Sequence, residues 1–200
     1  TYCDEQGAFE IRGLPVGAVV MRAEHDDEGK IQETLTLSSG AVLEHDFVLS
    51  RGLEVRGRVT DLAGKPLANA RVDIWQTNHW GRYAHPDDRN PAPLDPNFQG
   101  IGITHTDADG YYGFRTIRPA PYPLSAMGDS GMRPRHIHFK VAHEDAGKVT
   151  TQMYFEGDPL IEDDIVMRGT PEELRHLLIT SAAEDSETGL PLHRFDIALG

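Results

Sequence analysis

The sequence predicts an all-β protein: a β-sandwich with one short helix, preceded by a partial β-sandwich segment. Three observations carry this. Apolar side chains recur mainly with a period of two, the spacing of a half-buried strand. Clusters of Gly, Asp and Pro separate these runs at short intervals, as in sandwiches and barrels. One stretch alone has helical spacing.

Taken in order, residues 4–14 carry an Asp/Gly turn signal followed by alternating Phe9, Ile11 and Leu14. Residues 41–49 mix alternation with apolar ends, residues 53–59 alternate cleanly, and so do residues 70–75. Residues 107–117 repeat the pattern of 4–14: Asp-x-x-Gly, then Tyr111, Tyr112, Phe114 and Ile117. In this second copy the unit follows a strand pattern at 53–59 and another at 70–76, which the first copy lacks. The chain therefore reads as starting midway through a β-sandwich module, with domains at 1–50 and 51–200. Both copies resemble transthyretin-like or carboxypeptidase-regulatory-like modules. Thr170 as cap, Pro171 at the first helical position and Glu173 form a capping-box pattern. Leu174, Leu177 and Leu178 form an i, i+3, i+4 stripe, so a helix is predicted over 171–180.

Composition narrows the function. The 200 residues carry a net charge of -13 and are 38% apolar. Nucleic acid and anionic membrane surfaces are poor partners for such a charge, and no run approaches the roughly 20 apolar residues of a bilayer span. The charge is uneven: residues 1–50 hold 10 acids and 3 bases. That is read as a solvated acidic face. The single cysteine, Cys3, excludes a disulfide framework and a Cys-based zinc site. No signal-peptide layout is present, so a cytoplasmic location is expected.

The chemistry starts at Arg135-His136-Ile137-His138-Phe139-Lys140-Val141. Two histidines at i and i+2 of a strand project from one face and can reach one metal ion. A His-x-His-x-Asp zinc hydrolase would need an acid where Lys140 stands. A ferrous site of two histidines and one carboxylate is compatible with the composition. Tyr83 and Tyr122 offer another set. Both lie in loops bounded by Pro and Gly, and a phenolate is a hard oxygen donor suited to a ferric ion, which lowers the phenol pKa from about 10.

The ordered motifs go further. Trp75-Gln76, Gly81-Arg82-Tyr83, Leu94-Asp95-Pro96-Asn97-Phe98 and Thr106-Asp107-Ala108-Asp109-Gly110-Tyr111-Tyr112 come first. Pro121-Tyr122-Pro123, Arg133-Pro134-Arg135-His136-Ile137-His138-Phe139, Tyr154-Phe155-Glu156-Gly157-Asp158-Pro159-Leu160 and Arg194-Phe195-Asp196-Ile197 follow. Over residues 51–200 this pattern resembles the intradiol ring-cleavage dioxygenases. The resemblance implies one Fe(III) per active site, held by Tyr83 and His136 equatorially and by Tyr122 and His138 axially. Tyr122 would also take a substrate proton. Arg133 would face the reacting ring and stabilise developing negative charge, with Gln152 and Ile165 lining the pocket. The implied reaction splits a catechol-type ring between its two hydroxylated carbons with O2, giving a cis,cis-muconate-type dicarboxylate. A homo- or hetero-oligomer is compatible with the family.

The pattern departs from the family at Leu124, where the resembled sequences carry a tryptophan, and over 125–132, rich in Gly and Asp. A smaller Leu124 would widen the pocket. Two rivals stand beside this reading: a non-catalytic transthyretin-like binding module, and a ferrous or zinc enzyme using His136 and His138 with a carboxylate. Neither needs Tyr83 and Tyr122. By alignment of the two copies Tyr122 falls opposite Val19, so residues 1–50 are expected to hold no metal. Tyr111, Tyr112 and Trp75 are expected in the core. His79, His85 and His105 are expected at the surface, Cys3 has no assigned role, and Tyr154 is assigned equally to packing or to the site edge.

Overall fold

The structure, a computed structural model, describes the chain except residues 5, 26–28, 48, 50–51, 125–130 and 186–187. It divides into two compact units, Thr1–Arg51 and Gly52–Gly200.

The first unit opens on a tight turn. The Asp4 carboxylate accepts the backbone N–H groups of Gln6 and Ala8, at 3.0 and 2.8 Å. Gly7 takes a φ of +83°, a region that favours glycine. An antiparallel hairpin follows, β1 (Gly17–His25) and β2 (Gly29–Leu37), in register from Gly17↔Leu37 to His25↔Gly29. Val19, Met21, Leu35 and Leu37 line an open hollow of about 840 Å³ together with Phe9 and Phe47. The strand expected over 41–49 does not form a ladder among its described residues. Period-two spacing marks a half-covered surface, whereas a ladder also needs a neighbouring backbone edge. Here Phe47 packs instead on Phe9, with ring centroids 5.8 Å apart.

The second unit is a sandwich of two five-stranded sheets. β3 (Leu53–Asp61) and β6 (Tyr111–Thr116) pair antiparallel from Leu53↔Thr116 to Arg58↔Tyr111. The other edge of β3 receives β13 (Pro191–Arg194) and β14 (Ile197–Leu199) in parallel, and β12 (Ala182–Glu184) extends that sheet beyond β13. The facing sheet is built from β4 (Arg71–Gln76), β5 (Ile101–His105), β9 (His136–His143), β10 (Gly147–Phe155) and β11 (Ile179–Thr180). Its strand order is β11–β10–β9–β4–β5. A two-residue ladder, β7 (Tyr122–Pro123) with β8 (Met132–Arg133), stands apart.

The alternation is what builds the core. Val55 and Val59 of β3, Val72 of β4, Ile137, Phe139 and Val141 of β9, and Met153 and Phe155 of β10 point into one cluster, nearly all without exposed surface. Gly57 of β3 is required there, because a Cβ would lie 1.9 Å from the carbonyl oxygen of Phe195. Tyr112 joins this core and bonds the Phe195 carbonyl through its hydroxyl. Tyr111 does not, contrary to expectation: its neighbour faces in, so period two turns Tyr111 out, under the guanidinium of Arg58 at 5.2 Å.

The helical region also differs in detail. Helix α1 (Ile165–Gly169) precedes the predicted one and is capped by Asp164. The predicted span begins as α2 (Glu172–Arg175), continues as a 3-10 turn at His176–Leu178 and ends in β11. Thr170 closes α1 rather than opening α2, since its hydroxyl donates to the Val166 carbonyl. Leu174 and Leu177 stay exposed, and only Leu178 of the stripe packs, against the cluster of Tyr154, Ile161 and Met167.

Candidate metal centre

The alternation that sends Ile137, Phe139 and Val141 inward sends His136 and His138 to the opposite face of β9. The strand register then decides their neighbours. Tyr154 stands opposite His136, while Gln152 and Trp75 flank His138 from either side. Trp75 is therefore not the core anchor that the sequence predicted: its ring lies flat on the His138 imidazole, centroids 4.6 Å apart and planes 4° off parallel.

Tyr83 arrives from the loop after β4. That loop is held by two buried asparagines. Asn78 Oδ1 accepts the N–H groups of Trp80 and Arg82, and Asn90 Nδ2 donates to the Gly81 carbonyl. Asp88 Oδ2 accepts the Tyr83 backbone N–H at 2.7 Å. Gly81, at φ +82°, permits the approach to the Pro121 strap, where a Cβ would lie 2.5 Å from the Pro121 carbonyl oxygen.

The result is a triangle of donor atoms. Tyr83 Oη lies 3.1 Å from His136 Nε2 and 3.0 Å from His138 Nε2, and the two Nε2 atoms are 3.1 Å apart. His136 Nδ1 donates to the Pro134 carbonyl at 2.7 Å, which leaves the Nε2 lone pair facing the triangle. Burial, aided by the Arg133 charge, pushes His136 down to about 4. Burial, then His136 and Arg133, push His138 down to about 3. Both imidazoles are thus neutral at physiological pH, the form that ligates metals. Burial drives the Tyr83 phenol well above its usual range, with Arg133 opposing and Tyr122 and Asp88 assisting. Two lone pairs and one phenol at this spacing fit a strongly Lewis-acidic cation, which would stabilise the phenolate. Among the described residues no group of three His, Cys, Asp or Glu side chains converges, so the two-histidine, one-carboxylate set is not assembled here.

Tyr122 is close but not a corner of the triangle. β7 holds it opposite Arg133, its ring lies 5.0 Å from that of Tyr83, and its hydroxyl donates to Asp88 Oδ1 at 3.2 Å. Burial, then Asp88, raise its pKa. Asp88 thereby holds both tyrosines, a role the sequence reading missed. The Asp88-x-Asn90 spacing, which forms a turn through Asp88 Oδ1 and the Asn90 N–H, is the signal that was available.

Arg133 is buried beside the triangle, with Nη1 3.4 Å from His136 Nε2. Nη2 donates to Gln152 Oε1 at 2.7 Å and to the Tyr154 hydroxyl at 3.1 Å. Tyr154 is fully buried and its hydroxyl lies in this network. Leu124 follows β7 and its N–H bonds the Gly131 carbonyl. The adjoining stretch 125–130 lies outside the described residues. Ile165 opens α1 and is two-thirds exposed. Neither is part of the triangle. His79 pairs with Asp95, and His85 lies exposed beside Asp87. His105 ends β5 with an exposed side chain.

Residues 30–200 match the model of a family described as dioxygenase. The chain is 42% identical over 177 residues to the protocatechuate 3,4-dioxygenase β chain of Burkholderia cepacia, covering 87% of this chain and 74% of that one. It is 42% identical over 132 residues to catechol 1,2-dioxygenase 1 of Acinetobacter lwoffii, covering 61% of this chain and 41% of that one. Among solved structures, catechol 1,2-dioxygenase from Pseudomonas arvilla C-1 aligns with a TM-score of 0.58 and 30% identity, over 75% of this chain and 53% of that one. The dioxygenase domain of a dioxygenase–carbohydrate-binding fusion from Streptomyces sp. SirexAA-E aligns at 0.55 and 28%, over 82% and 95%. The chain thus spans less than half of the catechol relative and about half of the first solved structure. With its sandwich, its phenol–imidazole triangle and these matches taken together, the chain belongs to the intradiol ring-cleaving dioxygenases.

Proposed function

We propose that this chain binds one Fe(III) and uses O2 to cleave a catechol-type ring, of the protocatechuate kind, between its two hydroxylated carbons. The observation that carries the reading is the triangle of Tyr83 Oη, His136 Nε2 and His138 Nε2 with edges of 3.0–3.1 Å on one face of a sandwich sheet. Tyr83, His136 and His138 would hold the iron, with Tyr122 available beside them as a fourth protein ligand. Ferric iron bound there would supply a Lewis-acidic centre that draws electron density from a catechol ring.

The chain's own residues do the rest. Tyr122 and Asp88 form a proton-holding pair at the edge of the site. Held as a phenolate by the iron, Tyr122 would be able to accept a catechol proton at Oη, and the resulting O–H would be kept by the burial and the Asp88 carboxylate that raise its pKa. Arg133 presents Nη1 toward the triangle, where a guanidinium stabilises negative charge developing on the substrate. Gln152 anchors Nη2. Trp75 fixes the plane of His138 and covers it from water. Leu124 and Ile165 set the width of the ring pocket.

The test is optical and catalytic. Iron-loaded protein should absorb in the visible through tyrosinate-to-iron charge transfer. It should consume O2 with catechol, protocatechuate or hydroxyquinol in a one-to-one ratio to a ring-opened diacid. Colourless iron-loaded protein, or no turnover of any of the three, overturns the reading. No helix among the described residues is long and apolar enough to cross a membrane. A metal-free β-sandwich binding module is the reading that would remain.

A further inference from the structure

Asp164 has so far served only as the cap of α1, yet among the described residues near the site no carboxylate accepts more hydrogen bonds. Its side chain has no exposed surface. Oδ2 accepts Arg133 Nε at 2.8 Å and Oδ1 accepts Arg133 Nη2 at 3.1 Å, a side-on, two-pronged pair. The same Oδ1 lies 2.9 Å from the Tyr154 hydroxyl and accepts the N–H groups of Val166 and Met167, at 3.0 and 3.3 Å.

Resting on the functional reading above, in which Arg133 faces the substrate, we propose that Asp164 is the positioning residue of the site. It clamps the Nε–Nη2 edge of Arg133 so that Nη1 alone is offered to the reacting ring, and it ties that orientation to helix α1.

The physical argument has two parts. A guanidinium on a flexible stem has many rotamers, and a carboxylate gripping two of its nitrogens fixes the plane as well as the place. With Nε and Nη2 engaged by Asp164, Gln152 and Tyr154, the remaining edge is Nη1, already 3.4 Å from His136 Nε2. Second, α1 has five residues, too few to persist alone. Its N-terminus is held by the Asp164 cap, and Met167 seats it against Tyr154 and Ile161. Ile165 at its start is thus set by the same carboxylate that sets Arg133. The pocket wall and the pocket cation share one anchor.

A cap alone would need far less. Ser and Asn cap helices about as well as Asp, but Ser cannot reach Arg133, and Asn offers one neutral acceptor where Arg133 uses two charged ones. This separates a positioning role from a structural one in a double-mutant cycle on the full-length, iron-loaded chain. Asp164→Asn should lower kcat/KM by about 10- to 100-fold, the cost of a misplacement near 1 Å, mainly through kcat. In an Arg133→Lys background, which cannot form the two-pronged pair, the same substitution should change kcat/KM by less than about twofold. Asp164→Ser, which keeps the cap, should behave as Asp164→Asn does. Equal losses in both backgrounds, or undiminished kcat/KM in Asp164→Asn, overturn the proposal.

A wild-type chain that cleaves no catechol sinks the functional reading instead. The cycle is then read on melting temperature, where strong coupling between positions 133 and 164 sustains the clamp and additive shifts reject it.

Discussion

Among the described residues one turn is built three times on an aspartate, and once more on Asn78, and its surroundings differ. At Asp4, Asp61 and Asp107 the carboxylate accepts the N–H groups two and four residues on. The third residue after each is a glycine, with φ of +83°, +82° and +81°. In the second unit the Asp107 turn launches β6, which pairs with β3 over six residue pairs and buries Tyr112. In the first unit the residues after the Asp4 turn, 8–14, form no strand and stay exposed. None of that unit's described residues is buried, and its apolar side chains line a hollow. Turn chemistry is local and reproducible. A strand needs a backbone edge to bond and a core to face, and those come only from distant parts of the chain.

The largest expected effect tests which unit carries the chemistry. His138→Ala should reduce bound iron at least about tenfold and bleach the visible band. His45→Ala should leave both unchanged, although His45 too has a close partner, Glu33 at 2.7 Å. Metal analysis and absorbance read this directly. Iron lost equally in both variants would erase the contrast between the units.

Gly110→Ala comes next. A Cβ there would lie 2.6 Å from the Val59 carbonyl oxygen in a conformation that L-residues avoid. A loss of about 2–4 kcal/mol on the main unfolding transition is expected in denaturant titration.

The third effect depends on pH. His136 and His138 are neutral in the fold but titrate near 6.5 once unfolded. Below about pH 6.5 the unfolded chain binds more protons, so the metal-free protein should lose stability as pH falls toward 4. Each imidazole contributes about 1.4 kcal/mol per pH unit. A melting temperature flat from pH 7 to 4.5 would argue against the buried, neutral pair.

The smallest effect is at Gly7. Gly7→Ala meets nothing within 4 Å and costs only backbone strain, about 1 kcal/mol. It should leave the main transition unmoved. A shift as large as that of Gly110→Ala would mean the two turns are not so differently embedded.

Much of the second unit was legible. Alternation located β3 and β4, and reading 135–141 as a strand put His136 and His138 on a common face. The resemblance singled out Tyr83, Arg133 and Gln152, which the fold brings together. What escaped depends on partners remote in sequence. Tyr111 and Tyr112 are identical as letters, and only pairing with β3 decides which faces the core. Residues 41–49 carry a strand pattern but lack an edge to join. Thr170 reads as an N-cap until α1, invisible to periodicity at five residues, claims it as its end. Asp88 and Asp164 carry no periodic signal, because each acts by what it accepts from loops and strands folded around it. Tyr122, grouped with the ligands, stands beside Tyr83 with its hydroxyl on Asp88, a contact set by a side-chain rotamer that no sequence pattern encodes.

The Trp75–His138 stack has a practical consequence. The chain has two tryptophans, and one lies flat against an imidazole of the donor triangle at 4.6 Å. If the proposed iron binds here, an indole this close to it should lose emission by energy and electron transfer. Ultraviolet fluorescence of the untagged protein should then dim as iron is added and brighten under a chelator, a native gauge of occupancy without dye or substrate.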